Sequence, residues 1–222
     1  MERVRFFNAV EALPSLRDLG ITEDEGVCEL IDNSFDVNCK EVRIHLEKKN
    51  DGNFKIIVAD DGEGVPTTYG DFQGIPYVLA VGGKVPKGKS RIGRFGWGLS
   101  ATATCLTTRT SVYSKHQDDV SWRKGVYDIQ QLSDTDDCTM DNEVLENPPW
   151  IDLPQTGTIV VLENIDRCRY TRLGDLKNNL VKNLGRIYRK MLGAGKSIVV
   201  SWEESEGKIK DTDENFDLFF VF

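Results

Sequence analysis

Alternating apolar and polar positions give the clearest local signal. EVRIHLEK, from Glu41 to Lys48, places Val42, Ile44 and Leu46 on one face, the period of a half-buried strand. Asn50-Asp51-Gly52-Asn53 supplies turn chemistry, and the apolar run 54–59 completes an expected hairpin. Further strands are expected near 110–114, 121–129, 158–163 and 197–202. Helical spacing governs two other stretches. Thr22-Glu23-Asp24-Glu25 fits a capping box, so a helix should start there and run to about Asp36. A basic amphipathic helix is expected over 172–192, ending at Gly193-Ala194-Gly195. SATATCLT, from Ser100, reads as a short helix. Glycine is dense from Gly62 to Gly98, which predicts an irregular segment, and DTDDCTMDNEVLENPPW predicts an exposed loop between strands. The sum is an α+β fold, a two-layer α/β sandwich with a mixed, mostly antiparallel sheet and helices on one face.

Composition narrows the function classes. The 222 residues carry a formal net charge of −8 and are 39% hydrophobic, enough for one sizeable core. An acidic balance argues against binding nucleic acid or anionic membrane through overall charge. No apolar run approaches the ~20 residues that span a bilayer, and MERVRFFNAVEAL lacks the core and cleavage site of a signal peptide. A cytoplasmic location without a membrane partner is therefore expected. Cys28, Cys39, Cys105, Cys138 and Cys168 are scattered without a C-x-x-C pair and read as reduced thiols. His45 and His116 are the two histidines, and His45 falls on the polar face of its strand, where solvation is expected.

The chemistry concentrates in ELIDNSFD, residues 29–36. At ~100° per residue, Glu29, Asn33, Asp36 and Asp32 share one helix face, while Val27, Leu30, Ile31, Ser34 and Phe35 share the other. A solvated face is the simpler reading of most such stripes. Here no lysine or arginine is interleaved to relieve the like charges, and short acids beside an amide suit a hard cation and oriented water. VADDGEGVP follows the second strand. Gly62 and Gly64 permit positive φ or a close approach, and an acid at the strand end can accept a hydrogen bond from an exocyclic amine. Third comes Gly93-Arg94-Phe95-Gly96-Trp97-Gly98-Leu99-Ser100, glycines ahead of a helix N-terminus that can offer N–H groups to an anion. Lys84, Lys87, Lys89, Arg91 and Arg94 add positive charge nearby. A polyphosphate fits that charge.

GKVPKGKS, residues 83–90, matches the P-loop pattern G-x-x-x-x-G-K-[ST]. A P-loop must open a helix directly after its Lys-Ser, and the following RIGRFGWG carries three glycines that oppose one. These lysines suit a flexible lid better.

Taken in order, E-x-x-D-N-x-x-D, D-D-G-x-G, G-x-x-G-x-G-L and T-G-T resemble the four nucleotide-binding boxes of the GHKL superfamily. LPSLRDLGITEDEGVCELIDNSFDV and LGRIYRKMLGAGKSIVVSWEE are most similar to its MORC and ninety-kilodalton heat-shock-chaperone branch. The resemblance implies ATP and Mg²⁺ as cofactors. It makes Glu29 the general base on the attacking water and Asn33 the Mg²⁺ ligand, with Asp32 and Asp36 supporting the helix and its solvent network. Asp60 would accept from the adenine amino group, Gly62, Gly64 and Val65 would shape the base site, and Thr158 would join through water. Gly93, Phe95, Gly96, Trp97, Gly98 and Leu99 would line the phosphates beneath a lid over about 71–91 that includes Lys89. Val37 and the bulky Trp97 depart slightly from the family pattern.

The activity implied is slow, Mg-dependent ATP hydrolysis by residues 1–210, coupled to lid closure and ATP-dependent homodimerisation. The alternatives are a non-hydrolysing ATP-gated interaction module and a histidine-kinase catalytic domain. Only about twenty residues precede the nucleotide helix, and both histidines sit in strand-like segments, which disfavours the kinase. The apolar end FDLFFVF, within 211–222, is expected to be an edge strand, a partner surface or the start of a transducer domain. Any downstream client, DNA or protein, is left open.

Overall fold

The computed structural model describes residues 17–69, 72–79, 98–131, 142–145, 148 and 154–203. Helix α1, Glu23–Asp36, begins with the expected capping box: Thr22 Oγ1 accepts from the Glu25 amide, and the Glu25 carboxylate accepts from the Thr22 amide. Strands β1, Glu41–Lys48, and β2, Phe54–Asp60, form the expected antiparallel hairpin. A small pair follows, β3 Thr68–Tyr69 with β4 Phe72–Gln73, then helix α2 over Gly74–Leu79. Helix α3 spans Gly98–Leu106 and runs directly into β5, Thr107–Lys115. β6 Trp122–Asp128, β7 Asn142–Leu145 and β8 Gly157–Ile165 continue the chain. Helices α4, Leu173–Ile187, and α5, Arg189–Gly193, lead to β9, Ser197–Glu203.

Seven strands form one sheet in the order β7-β6-β5-β8-β2-β1-β9. Every neighbouring pair is antiparallel except β1 with β9, where the α4–α5 crossover returns the chain in parallel. This is the mixed, mostly antiparallel α+β architecture expected. The main core joins Val27, Leu30 and Ile31 of α1, Ile44 and Leu46 of β1, Ile56 and Val58 of β2, Leu162 of β8 and Leu176, Leu180 and Leu184 of α4. A second cluster comprises Ile57, Ala59, Tyr113, Trp122 and Ile159.

Four expectations need correction. The glycine-dense stretch is not irregular throughout: Gly74–Leu79 is helical and buries Ile75 and Leu79 in the core, where local apolar spacing outweighs glycine frequency. The acidic loop contains β7, whose Asn142–Leu145 pairs with β6 at the sheet's edge. The single helix over 172–192 divides at Tyr188, where φ −93° and ψ 9° interrupt the helical backbone. His45 is not a solvated side chain; its Nδ1 lies 2.8 Å from Ser201 Oγ on β9, and Nε2 is 3.7 Å from Glu47.

A buried ionic anchor fixes the start of α1. Glu23, fully buried, accepts from the backbone amide of Arg169 and from its Nε at 2.8 Å. Burial pushes the Glu23 carboxyl up, but the Arg169 hydrogen bonds prevail and hold it below its ordinary range. A lowered folded pKa contributes stability above the unfolded value and loses it as pH falls through the folded one. Glu23→Gln should therefore lower the melting temperature at neutral pH and flatten its decline in acid, as followed by thermal unfolding across pH.

Candidate functional site

The base end of the site is built where β2 stops. Asp60, the last residue of β2, is only 6% exposed. Its Oδ1 accepts from the Gly62 amide at 3.0 Å and the Thr158 amide at 3.2 Å, and Ser34 Oγ lies 3.0 Å from Oδ2. Ser34 Oγ is also 3.0 Å from the Leu30 carbonyl. Desolvation pushes the Asp60 carboxyl upward, against the pull of the Gly62, Ser34 and Thr158 donors. A carboxylate offers about four acceptor positions, so three protein donors leave room for one ligand donor. The neighbouring Asp61 turns the other way, where its Oδ1 accepts from the amides of Lys40 and Glu41 and caps the start of β1.

Close backbone approaches shape the same corner. Gly64 has φ +73°, and a Cβ there would stand 2.2 Å from the Lys115 carbonyl, so the end of β5 requires this glycine. Gly62 packs against Val37 instead, without positive φ. Gly157 has φ +141°, and a Cβ would meet the Asp60 carbonyl at 2.0 Å. Ser114 ties these segments together: its Oγ accepts from the Val65 amide at 2.8 Å, donates to the Gly157 carbonyl at 2.9 Å and lies 2.9 Å from Thr158 Oγ1. Gly157→Ala should cost on the order of 1–3 kcal/mol, because the obstructing atom is backbone. Chemical denaturation compared with wild type measures it.

The other end is set by α1 against α3. Glu29 and Asn33 are exposed on α1, and Asp32 and Asp36 are half-buried. A Cβ on Gly98, the first residue of α3, would lie 2.2 Å from Glu29 Oε2. The Gly98 end of α3, where a helix dipole is positive in potential, therefore abuts the Glu29 carboxylate. Desolvation first, then the charge of Asp32, raises the Glu29 pKa. Leu99 packs half-buried against the core. Among the described residues no three His, Cys, Asp or Glu side chains converge on a metal position. The exposed Asn33 amide, beside the carboxylates of Asp32 and Asp36, supplies oxygen donors of the kind a hard cation takes.

These segments lie on separate elements: α1 meets the β2 exit through Ser34 and Asp60 and meets α3 through Glu29 and Gly98, while the start of β8 joins at Asp60 through Thr158. Residues 21–153 match the family described as histidine kinase-, DNA gyrase B-, and HSP90-like ATPase. The chain belongs to this ATPase family. An ATP-binding domain is the family's common element, and the match begins beside the α1 cap and runs past β7. Thr156-Gly157-Thr158 lies beyond the matched stretch, yet the Thr158 amide donates to Asp60, so geometry attaches it to the corner at the end of β2. No curated protein matches the sequence significantly.

The structure thus gathers Asp60, Gly62, Gly64, Val65 and Thr158 in one corner, and Glu29 with Gly98 in another. Lys89, Gly93, Phe95, Gly96 and Trp97 lie outside the described residues, as do 80–91 of the expected lid and the tail 211–222. Sequence reasoning missed Ser34, Ser114 and Gly157. Ser34 belonged to the buried face of α1, where a lone hydroxyl among Leu30, Ile31 and Phe35 was the available signal. Gly157 was visible inside T-G-T. Ser114 carried no local signal.

Proposed function

We propose that this ATPase-family chain binds Mg·ATP and hydrolyses it slowly, with nucleotide state governing closure of a lid over about 71–91 and self-association. The carrying observation is the approach of Gly98 to Glu29 Oε2, which sets an anion-attracting helix end beside a carboxylate of raised pKa. Glu29 is assigned the general base, accepting the proton of the attacking water. Asn33 is assigned the Mg²⁺, with Asp36 extending the polar face. When bound there, Mg²⁺ would supply positive charge that offsets the charge of the triphosphate. Asp60 receives the adenine amino group, Gly62, Gly64 and Val65 bound the base, and Thr158 joins it through water. Gly93, Phe95, Gly96, Trp97, Gly98 and Leu99 are assigned to the phosphates and Lys89 to the lid. Within the family, the motifs quoted above favour the MORC and chaperone-like branch.

Calorimetric titration of the folded chain with Mg·ATP should give saturable heat, and phosphate should appear slowly in the same sample. No heat up to about 1 mM, where binding is worth only ~4 kcal/mol, would overturn the reading. ATP-induced dimers without phosphate release would instead establish a gated module.

A further inference from the structure

Tyr188 belongs to none of the nucleotide boxes, yet it reaches into the helix that carries the first of them. It sits at the α4–α5 junction, 3% exposed, with its ring edge-on to Phe35 at 5.7 Å and 71°. Its hydroxyl donates to Asp32 Oδ1 at 2.8 Å and lies 3.0 Å from the Cys28 carbonyl. Cys28 and Asp32 are one turn apart on α1, and the next residue after each is Glu29 and Asn33. One phenolic proton therefore spans the turn that presents both. Burial, followed by the neighbouring Cys28 and Asp32, pushes the Tyr188 phenol far above its ordinary value, so it remains a donor.

We propose that Tyr188 is a positioning residue for ATP turnover: it holds the Asp32 carboxylate on the α4 side of α1, leaving Glu29 and Asn33 to face the triphosphate. This deepens the hydrolysis reading and rests on it. Asp32 is three residues from Glu29, about 60° away around the helix and toward Cys28. Released from the phenol, its charge would be free to turn across that narrow angle toward the base and the phosphates, where a second anion repels both. The ring is a separate matter. Phenylalanine at 188 keeps the Phe35 contact and removes only the hydroxyl.

The test compares wild type, Y188F, D32A and the double variant, each as the full chain, by steady-state phosphate release and Mg·ATP calorimetry. Y188F should lose roughly tenfold in kcat, the scale of one hydrogen bond to a charged group, with Kd changed less than about threefold. D32A sets the baseline for the carboxylate's own part, and the double variant decides. With the carboxylate gone the hydroxyl has nothing to hold, so adding Y188F to D32A should cost no further turnover. A hydroxyl that acts by packing alone would slow D32A by the same tenfold as wild type, and that result overturns the proposal. So does an unchanged kcat in Y188F. If Y188F alone does not fold, the double variant, which carries no carboxylate stripped of its donor, is compared with D32A and decides by the same readout. Turnover in wild type with no effect at Tyr188 overturns this inference alone; Mg·ATP binding without turnover in wild type overturns the hydrolysis reading and this inference together.

Discussion

Glu29→Gln should bind Mg·ATP about as tightly as wild type and lose turnover by about 10²–10⁴-fold, the usual contribution of a positioned general base. The substitution keeps the side chain's length and its hydrogen-bonding oxygen but removes its capacity to take a proton. Geometry makes this variant clean. Glu29 is exposed on α1, so the core that α1 shares with β1, β2 and α4 is untouched. The neutral amide also relieves repulsion from Asp32, one of the two influences that raise the Glu29 pKa. Unfolding temperature should therefore hold or rise. Phosphate release and calorimetry on one preparation separate the two effects, and wild-type turnover in the variant would remove Glu29 from the mechanism.

Asp60→Asn should weaken adenine nucleotide binding by about 10- to 100-fold, the value of ~1.5–3 kcal/mol for a hydrogen bond to a buried charged group. The amides of Gly62 and Thr158 both point at Oδ1, so an asparagine keeps its oxygen there and turns its NH₂ toward the Oδ2 side. An acceptor then becomes a donor facing the ligand's own donor, while Ser34 Oγ can accept from it. Affinity falls and the fold survives. The pH dependence has a definite sign. A raised folded pKa means the native state binds the proton more readily than the unfolded chain, so this group's contribution to stability is present below the unfolded value and is lost as pH rises through the folded one. The variant should melt above wild type at neutral pH and converge with it in acid. Equal ATP affinity before and after would end the assignment of Asp60 to the base.

Local chemistry made much of this fold legible. The capping box fixed the start of α1 to the residue, and strict alternation fixed β1. What escaped was set by distant partners. Nothing near Tyr188 announces a break in the helix; φ and ψ change there at a ring that packs on Phe35 and a hydroxyl that meets α1. β7 is short and lies within an otherwise acidic stretch, and its strand character comes from pairing with β6. For the site, helical spacing alone put Glu29, Asn33 and Asp36 on one face. It also put Ser34 on the other, correctly buried, but could not show that the hydroxyl crosses to Asp60. The adjacent Asp60 and Asp61 look equivalent on paper; only the sheet shows one turned inward and the other spent on the Lys40 and Glu41 amides where β1 begins.

Ser34 has a single hydroxyl proton and two acceptors within 3.0 Å, the Leu30 carbonyl and Asp60 Oδ2. It works as a rotor. The proton can point to the buried carboxylate or back to its own helix, and either way the hydroxyl keeps a partner. If Asp60 receives a ligand's amine as proposed, rotation about that one bond would be enough to rebalance the donors around the carboxylate.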